Sequence, residues 1–299
     1  MQAIRTHVAG VDVHKEILAI TVIVGKADEE PRIERFECST FTEDLMAMGT
    51  KFLDLGVMEV AMESTGVYWK PIYNVWAPMG IKITVGNASH IKNVPGRKTD
   101  MNDSHWIAQL HRFGLIKSSF IPEPEFVQLR LLSRHRSNLV EDQSRVKSRV
   151  QKVLEEGNVK LGSVVSDVFG KGAIEVLRLI SQGINDPSKL RSVIKTNIKK
   201  KEVLKKSLTN CLQAEHCFLI KELMQQYDDL QKRIDSIEDE ITNKVQPYAE
   251  LVDELKKIPG ISDVLATGIL AEASNDMSYF ADERKFAAWA GVASGNNES

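Results

Sequence analysis

Seven apolar residues, Ile220, Leu223, Tyr227, Leu230, Ile234, Ile237 and Ile241, recur in a 3-4-3-4 rhythm, and no Gly or Pro interrupts the run before Pro247. A chain spaced this way has one economical way to bury those side chains, a long α-helix whose apolar stripe faces another helix. Asp228–Lys232, Asp229–Arg233 and Glu240–Lys244 add i,i+4 pairs on its exposed side. The pattern reads as a coiled coil. It fits a dimer seam or an antiparallel hairpin inside one chain, and the dimer is the preferred expectation.

A second helical stripe precedes it. Leu132, Leu139, Val146 and Val153 recur every seven residues. At about 100° per residue, Arg134, Arg145, Arg149 and Lys152 fall within about 60° of one another and away from that stripe. One face is expected to pack and the other to meet phosphates, with Glu141 diluting the basic arc. Lys189–Lys206, including Lys199, Lys200 and Lys201, is a further basic cluster. The formal charge of −2 hides this segregation. Residues 126–210 hold 18 Lys and Arg against 8 Asp and Glu, whereas residues 211–299 hold 8 against 17. A net of +10 can attract a polyanion whatever the whole chain carries, because salt screens fields beyond about 8–10 Å.

The first 125 residues read differently. Val8–Val13 and Ile17–Val24 form an expected hairpin and Ile33–Cys38 a third strand. Thr42–Leu55 follows as a helix with Thr42 as possible N-cap, then Val57–Met62 as a buried strand ending at Glu63. Val67–Pro78 suits a helix, Ile81–Val85 a strand, and Asn102–Phe113 a closing helix. Strands first, then helices alternating with strands, predict an α/β layer with a mixed sheet. Three regions are expected: 1–125, a basic helical and coiled-coil region at 126–250, and a small helical domain at 251–299. In the last, Lys257-Ile-Pro-Gly-Ile261 before the apolar Val264–Ala271 resembles a helix-hairpin-helix entry, with Ser262 where a second Gly is usual. Such hairpins offer backbone N–H groups to phosphates.

Four carboxylates carry the chemistry. Asp12 lies near the end of the first strand in Gly10-Val-Asp-Val-His-Lys15, and Glu63 just past another strand in Met62-Glu-Ser-Thr-Gly-Val-Tyr-Trp69. Asp100 and Asp103, spaced i,i+3, sit at or just inside a helix start. Two acids on adjacent strand ends facing two from a helix repel one another unless a divalent cation joins them. All-oxygen donors suit Mg²⁺ or Mn²⁺, and two such ions can stabilise both the attacking and leaving oxygens of a phosphodiester. His14, Lys15, Arg97 and Lys98 flank the acids as expected phosphate contacts. Taken singly, each acid has an ordinary reading as a turn residue, a solvated loop acid or a helix-start charge.

Jointly the motifs resemble the DEDD insertion-sequence transposases, bridge-RNA-guided serine recombinases with a RuvC-like N-terminal domain. Gly10–Lys15, Met62–Trp69, Arg97–Asp103, Ile258–Ile261 and Trp289–Ser299 carry the resemblance, in order, across nearly the whole chain. It implies an α/β RNase H-like (RuvC-like) domain with a mixed sheet, a helical coiled-coil region and a small α-helical C-terminal domain. It implies that Asp12, Glu63, Asp100 and Asp103 hold Mg²⁺ or Mn²⁺ as catalytic ligands, and that Ser299 attacks the DNA phosphodiester. The implied partners are double-stranded DNA, a structured bridge RNA and a second copy of the chain. The homodimer would become a tetramer on synapsis, where one subunit's serine enters another's acidic site. Ser294 stands where relatives often carry Pro. Relatives continue past the serine into a Gly- and Lys/Arg-rich stretch, so this chain is expected to be C-terminally shortened and to recombine poorly.

Gly10-Val-Asp12 also opens actin-like kinases, but the second Gly-rich phosphate loop and adenosine motif they need do not occur. A junction nuclease without serine chemistry, or a non-catalytic nucleic-acid scaffold, are the other readings. No apolar run approaches the roughly 18–20 residues of a membrane span. Asp12 breaks the only early apolar stretch, so no signal peptide is expected. Cys38, Cys211 and Cys217 show no zinc spacing, and a reduced, cytoplasmic setting follows as the default.

Overall fold

The computed structural model describes residues 3–26, 29–64, 66–94, 102–194 and 201–293. Two compact units divide the chain between Ile121 and Pro122. In the first, β1 (His7–Val13), β2 (Ile17–Val24), β3 (Arg32–Ser39), β4 (Glu59–Glu63) and β5 (Lys82–Gly86) form one sheet in the order β3-β2-β1-β4-β5. The first three strands meander antiparallel, and β1, β4 and β5 run parallel. A three-strand meander extended through its first strand by parallel crossovers is the RNase H-like arrangement, here as the expected mixed sheet.

Strand parity decides which side each residue faces. Ala9, Val11 and Val13 of β1, with Val60 and Met62 of β4, pack with Leu45, Met48 and Phe52 of α1 (Thr42–Asp54) and Ile72 and Trp76 of α2 (Trp69–Trp76). Phe52 and Trp76 meet edge to face at 5.1 Å, and the Trp76 indole N–H donates to the Leu45 carbonyl. The other face carries α3 (Ala88–Asn93) and α4 (Asp103–Arg112), with Ala61, Ile91, Trp106, Ile107 and Leu110 as its core. Gly10 belongs to this second face. A Cβ there would stand 2.2 Å from the Ala108 amide nitrogen and 2.3 Å from the Ser104 carbonyl oxygen. Only glycine lets α4 lie this close to β1.

Local details differ from the sequence expectation. Thr42 is the first helical residue of α1 rather than its cap; Phe41 holds that position without a side-chain bond, while the Ser39 hydroxyl accepts from the Phe41 N–H and donates to Asp44. The short helix α3 was not foreseen, although Asn87 caps it through bonds from the Ser89 and His90 amides.

The second unit is built on α5 (Pro124–Glu156) and α9 (Ala214–Val245). Residues ascending α5 meet residues descending α9: Gln128 pairs with Lys244, Arg136 with Glu238 and Gln143 with Gln231. The pair is therefore antiparallel. Leu139 and Val146 pack with Leu230 and Ile234, flanked by Leu223, Tyr227 and Ile237. Ile220 enters the core at one end, and Ile241 the core at the other. The stripe thus packs on α5 of the same chain, as in the hairpin reading, with Leu223, Tyr227 and Ile237 only partly buried. The α5 stripe offers a matching partner on the same polypeptide, where tethering gives it an effective concentration no second copy matches.

Between the long helices, α6 (Ile174–Ser181), α7 (Pro187–Ser192) and α8 (Lys201–Leu208) close over the Val150–Leu154 end of α5. At the opposite end, α10 (Ala249–Lys256) and α11 (Asp263–Ala273) pack on Phe126, Leu129 and Val245, followed by α12 (Glu283–Trp289). The expected hairpin lies between α10 and α11. Gly260 turns it at φ +91°, and Ser262 caps α11 by accepting from the Leu265 N–H. Among the described residues no helix is long and apolar enough to cross a membrane.

Candidate active site

Parity places Asp12 on the α4 side of the sheet, with Gly10, and places Glu63 on that side with Ala61. Val11 is paired with Met62, so Asp12 and Glu63 are the next residues along two adjacent parallel strands. Asp103 is the first residue of α4, whose start is fixed twice. Asn102 caps it by accepting from the Ser104 N–H at 3.0 Å, and the Ser104 hydroxyl meets Thr21 Oγ1 of β2 at 2.8 Å in the buried interior. With Gly10 admitting the helix, three acids from β1, β4 and α4 converge on one end of the sheet.

Their electrostatics record the convergence. Burial raises the Asp12 carboxyl above its ordinary range; the nearby His14 opposes this, while Asp103 and then Glu63 push it further up. His14 Nε2 lies 3.2 Å from Asp12 Oδ2, and Lys92 Nζ of α3 lies 4.0 Å from Glu63 Oε1. Asp12 is thus close enough to both acids to feel their charge. Among the described residues, however, no three His, Cys, Asp or Glu side chains stand close enough to grip one ion together. The donor set itself, carboxylate oxygens under mutual repulsion, fits a hard divalent cation.

The remaining expected site residues divide clearly. Asp100, Arg97, Lys98, Lys199, Lys200 and Ser299 lie outside the described residues. Lys15 is exposed in the β1–β2 turn beside the acids. Lys201 opens α8. Arg134 is held by Glu272 through two bonds of 2.8 and 3.0 Å, and Arg145 by Asp142 at 2.8 Å. Arg149 and Lys152 are exposed and take no ion-pair partner among the described residues. The +10 segment is therefore partly neutralised by the acidic segment that folds against it. Arg130 donates to the Ala271 and Glu272 carbonyls at the end of α11, Arg136 bonds Glu238, and Arg178 bonds Asp228. Segregation along the sequence is not segregation in space.

Three contributors escaped the sequence reading: Gly10 as the contact point for α4, Ser104 as its anchor, and Lys92. A glycine inside an apolar strand was the available signal for the first. For the others there was none, because Ser104 pairs with a residue 83 positions away and α3 was unread.

Comparison with known proteins fits this geometry. No curated protein matches the chain. Among solved structures, Thermus thermophilus RuvC aligns at 15% identity and TM-score 0.30, and T. thermophilus RuvC in complex with Holliday junction substrate at 14% and 0.29. Each alignment covers 38% of this chain and 100% of the other. Overlaps of that size carry no weight alone, and the RNase H-like fold rests on the strand order. Two family profiles match, a DEDD transposase profile of the IS110 type over residues 9–158 and the transposase profile of the IS116/IS110/IS902 family over residues 252–299. The first spans half of the sequence and includes Asp12, Glu63, Asp100 and Asp103; by these matches the chain belongs to the IS110 family of DEDD transposases.

Proposed function

We propose that the chain cuts and rejoins double-stranded DNA at a divalent-metal site made by Asp12, Glu63, Asp103 and Asp100, with Ser299 as nucleophile and a structured RNA selecting the target. The observation that carries the reading is Asp12, raised by burial and by Asp103 and Glu63 beside it, at the point where β1, β4 and the start of α4 meet. Such a cluster is costly in an empty site and becomes favourable when Mg²⁺ or Mn²⁺ binds. The bound ion supplies charge neutralisation at the phosphate and a lowered pKa for the attacking hydroxyl.

The chain's own contribution is placement. Strand pairing fixes the backbone at Asp12 and Glu63 and the capped start of α4 fixes it at Asp103, which leaves the side chains to turn onto a shared ion. Ser299 Oγ attacks phosphorus and passes its proton to a neighbouring base. One DNA P–O bond is exchanged for a serine P–O bond, and a DNA hydroxyl leaves. Attack by a hydroxyl of the exchanged strand reverses the step and frees the serine. Lys15, Arg97, Lys98, Arg149, Lys152 and Lys199–Lys201 hold DNA or RNA phosphates. The active assembly is a homodimer that pairs into a tetramer at synapsis.

The test is a denaturing gel of protein with labelled DNA and Mg²⁺, after sequencing of the RNA that copurifies. A covalent adduct is expected that disappears in Ser299→Ala and in Asp12→Asn. Cleavage without adduct makes the chain a metal-dependent nuclease. Binding without cleavage, indifferent to Asp12→Asn, makes it a scaffold.

A further inference from the structure

Glu63 closes β4 opposite Gly86, and the chain passes from Gly86 directly into α3, which carries Lys92. One bond fixes the strand that enters this short helix and another fixes the helix itself. The Ser64 N–H donates to the Gly86 carbonyl at 2.9 Å, and the Trp106 indole N–H of α4 donates to the Ile91 carbonyl at 3.1 Å. A Cβ on Gly86 would meet Ile91 Cδ1 at 2.9 Å, so α3 folds back tightly on the strand end. The helix bearing Lys92 is thereby tied to the helix of Asp103, and the strand that leads into it is tied to the strand of Glu63. Lys92 itself reaches outward, 60% exposed, and touches Glu63, 15% exposed, only at 4.0 Å.

We propose that Lys92 is a phosphate-holding cation of this site, resting on Glu63 in the ion-free chain and passing to a non-bridging oxygen of the DNA when divalent ions occupy the acids. An ion pair at the outer limit of contact whose lysine is exposed is weak, so a bound cation readily replaces it on Glu63. The released ammonium, a mobile point charge on a four-carbon stem, then faces the place where a phosphate must approach. The inference rests on the metal-site reading above, and its test separates the two.

The full chain and Lys92→Gln are compared in two assays, Mn²⁺ alone titrated by calorimetry, and duplex DNA binding against salt in Ca²⁺ or in EDTA. Lys92→Gln is expected to bind Mn²⁺ about two- to fivefold more tightly, since a competing cation is gone. In Ca²⁺ its salt slope should fall by about 0.9, one phosphate contact, and in EDTA it should not change. Lys92→Arg should restore the Ca²⁺ slope. Unchanged or weaker Mn²⁺ binding by Lys92→Gln, or an equal loss of slope with and without ions, overturns the proposal. Failure of the unaltered chain to bind Mn²⁺ overturns the metal site itself and this inference with it.

Discussion

Gly10→Ala puts one methyl group where α4 crosses β1, and the structure sets the size of the effect. The new Cβ would lie 2.2 Å from the Ala108 nitrogen, 2.3 Å from the Ser104 carbonyl oxygen and 2.7 Å from the Ala108 Cα. All three are backbone atoms, so no side chain can swing aside. Ordinary contact is about 3.5 Å, and α4 must retreat by roughly 1 Å. Overpacking of this kind typically costs about 1–3 kcal/mol, and a clash with rigid backbone belongs at the upper end. The Thr21–Ser104 bond breaks as the helix moves, and Asp103 leaves Asp12. A displacement of about 1 Å in a catalytic group can cost on the order of 100-fold in rate. Urea unfolding should show a loss of about 3 kcal/mol, and Mg²⁺-dependent DNA cleavage should fall about 100-fold even where the variant remains folded. Gly268→Ala is the control, because among the described residues nothing lies within 4 Å of a Cβ at that position in α11. It should stabilise by about 0.5–1 kcal/mol. Gly10→Ala with unaltered stability and cleavage would refute the close approach of helix to strand and the placement of Asp103 that depends on it.

Two further outcomes follow from titration. The raised Asp12 carboxyl favours folding while protonated, below the ordinary 3.8; that contribution is lost as pH rises through its folded value, leaving a cost at neutral pH. Asp12→Asn should therefore raise stability at pH 7 by about 0.5–2 kcal/mol in thermal unfolding without divalent ions, while abolishing cleavage. A destabilised, inactive variant would contradict the repulsion argument. His111, its side chain 3% exposed beside Glu59, is held down to about 4, first by burial and then by Arg5. A depressed histidine stabilises above its unfolded value of 6.5, and that stability is lost as pH falls toward 4. Between pH 7.5 and 4.5 it should cost roughly 2–3 kcal/mol, a slope that His111→Gln removes. An unchanged slope in urea titrations at the two pH values would rule this out.

What the sequence made legible was mostly local. Short apolar and β-branched runs marked β1 to β5, and the alternation of side chains along a strand puts Asp12 and Glu63 on one face once the strands are paired. Heptad spacing revealed both long helices and their apolar faces. It left the partner open, because a stripe states that it must be covered and not by what. The basic arc of α5 misled for a related reason. Arg134 lies on the face that the sequence assigned to phosphates, but Glu272, 138 residues away, folds onto it. The placement of α4 rests on Gly10 and Ser104, whose roles depend on distant partners and appear only when the chain is closed.

The most direct test of the account is a crystal of the full chain soaked in Mn²⁺ and measured for anomalous scattering. The account predicts a peak bounded by carboxylate oxygens of Asp12, Glu63 and Asp103, lost in Asp12→Asn. A fully occupied Mn²⁺ elsewhere, with those three side chains left without density between them, would contradict it.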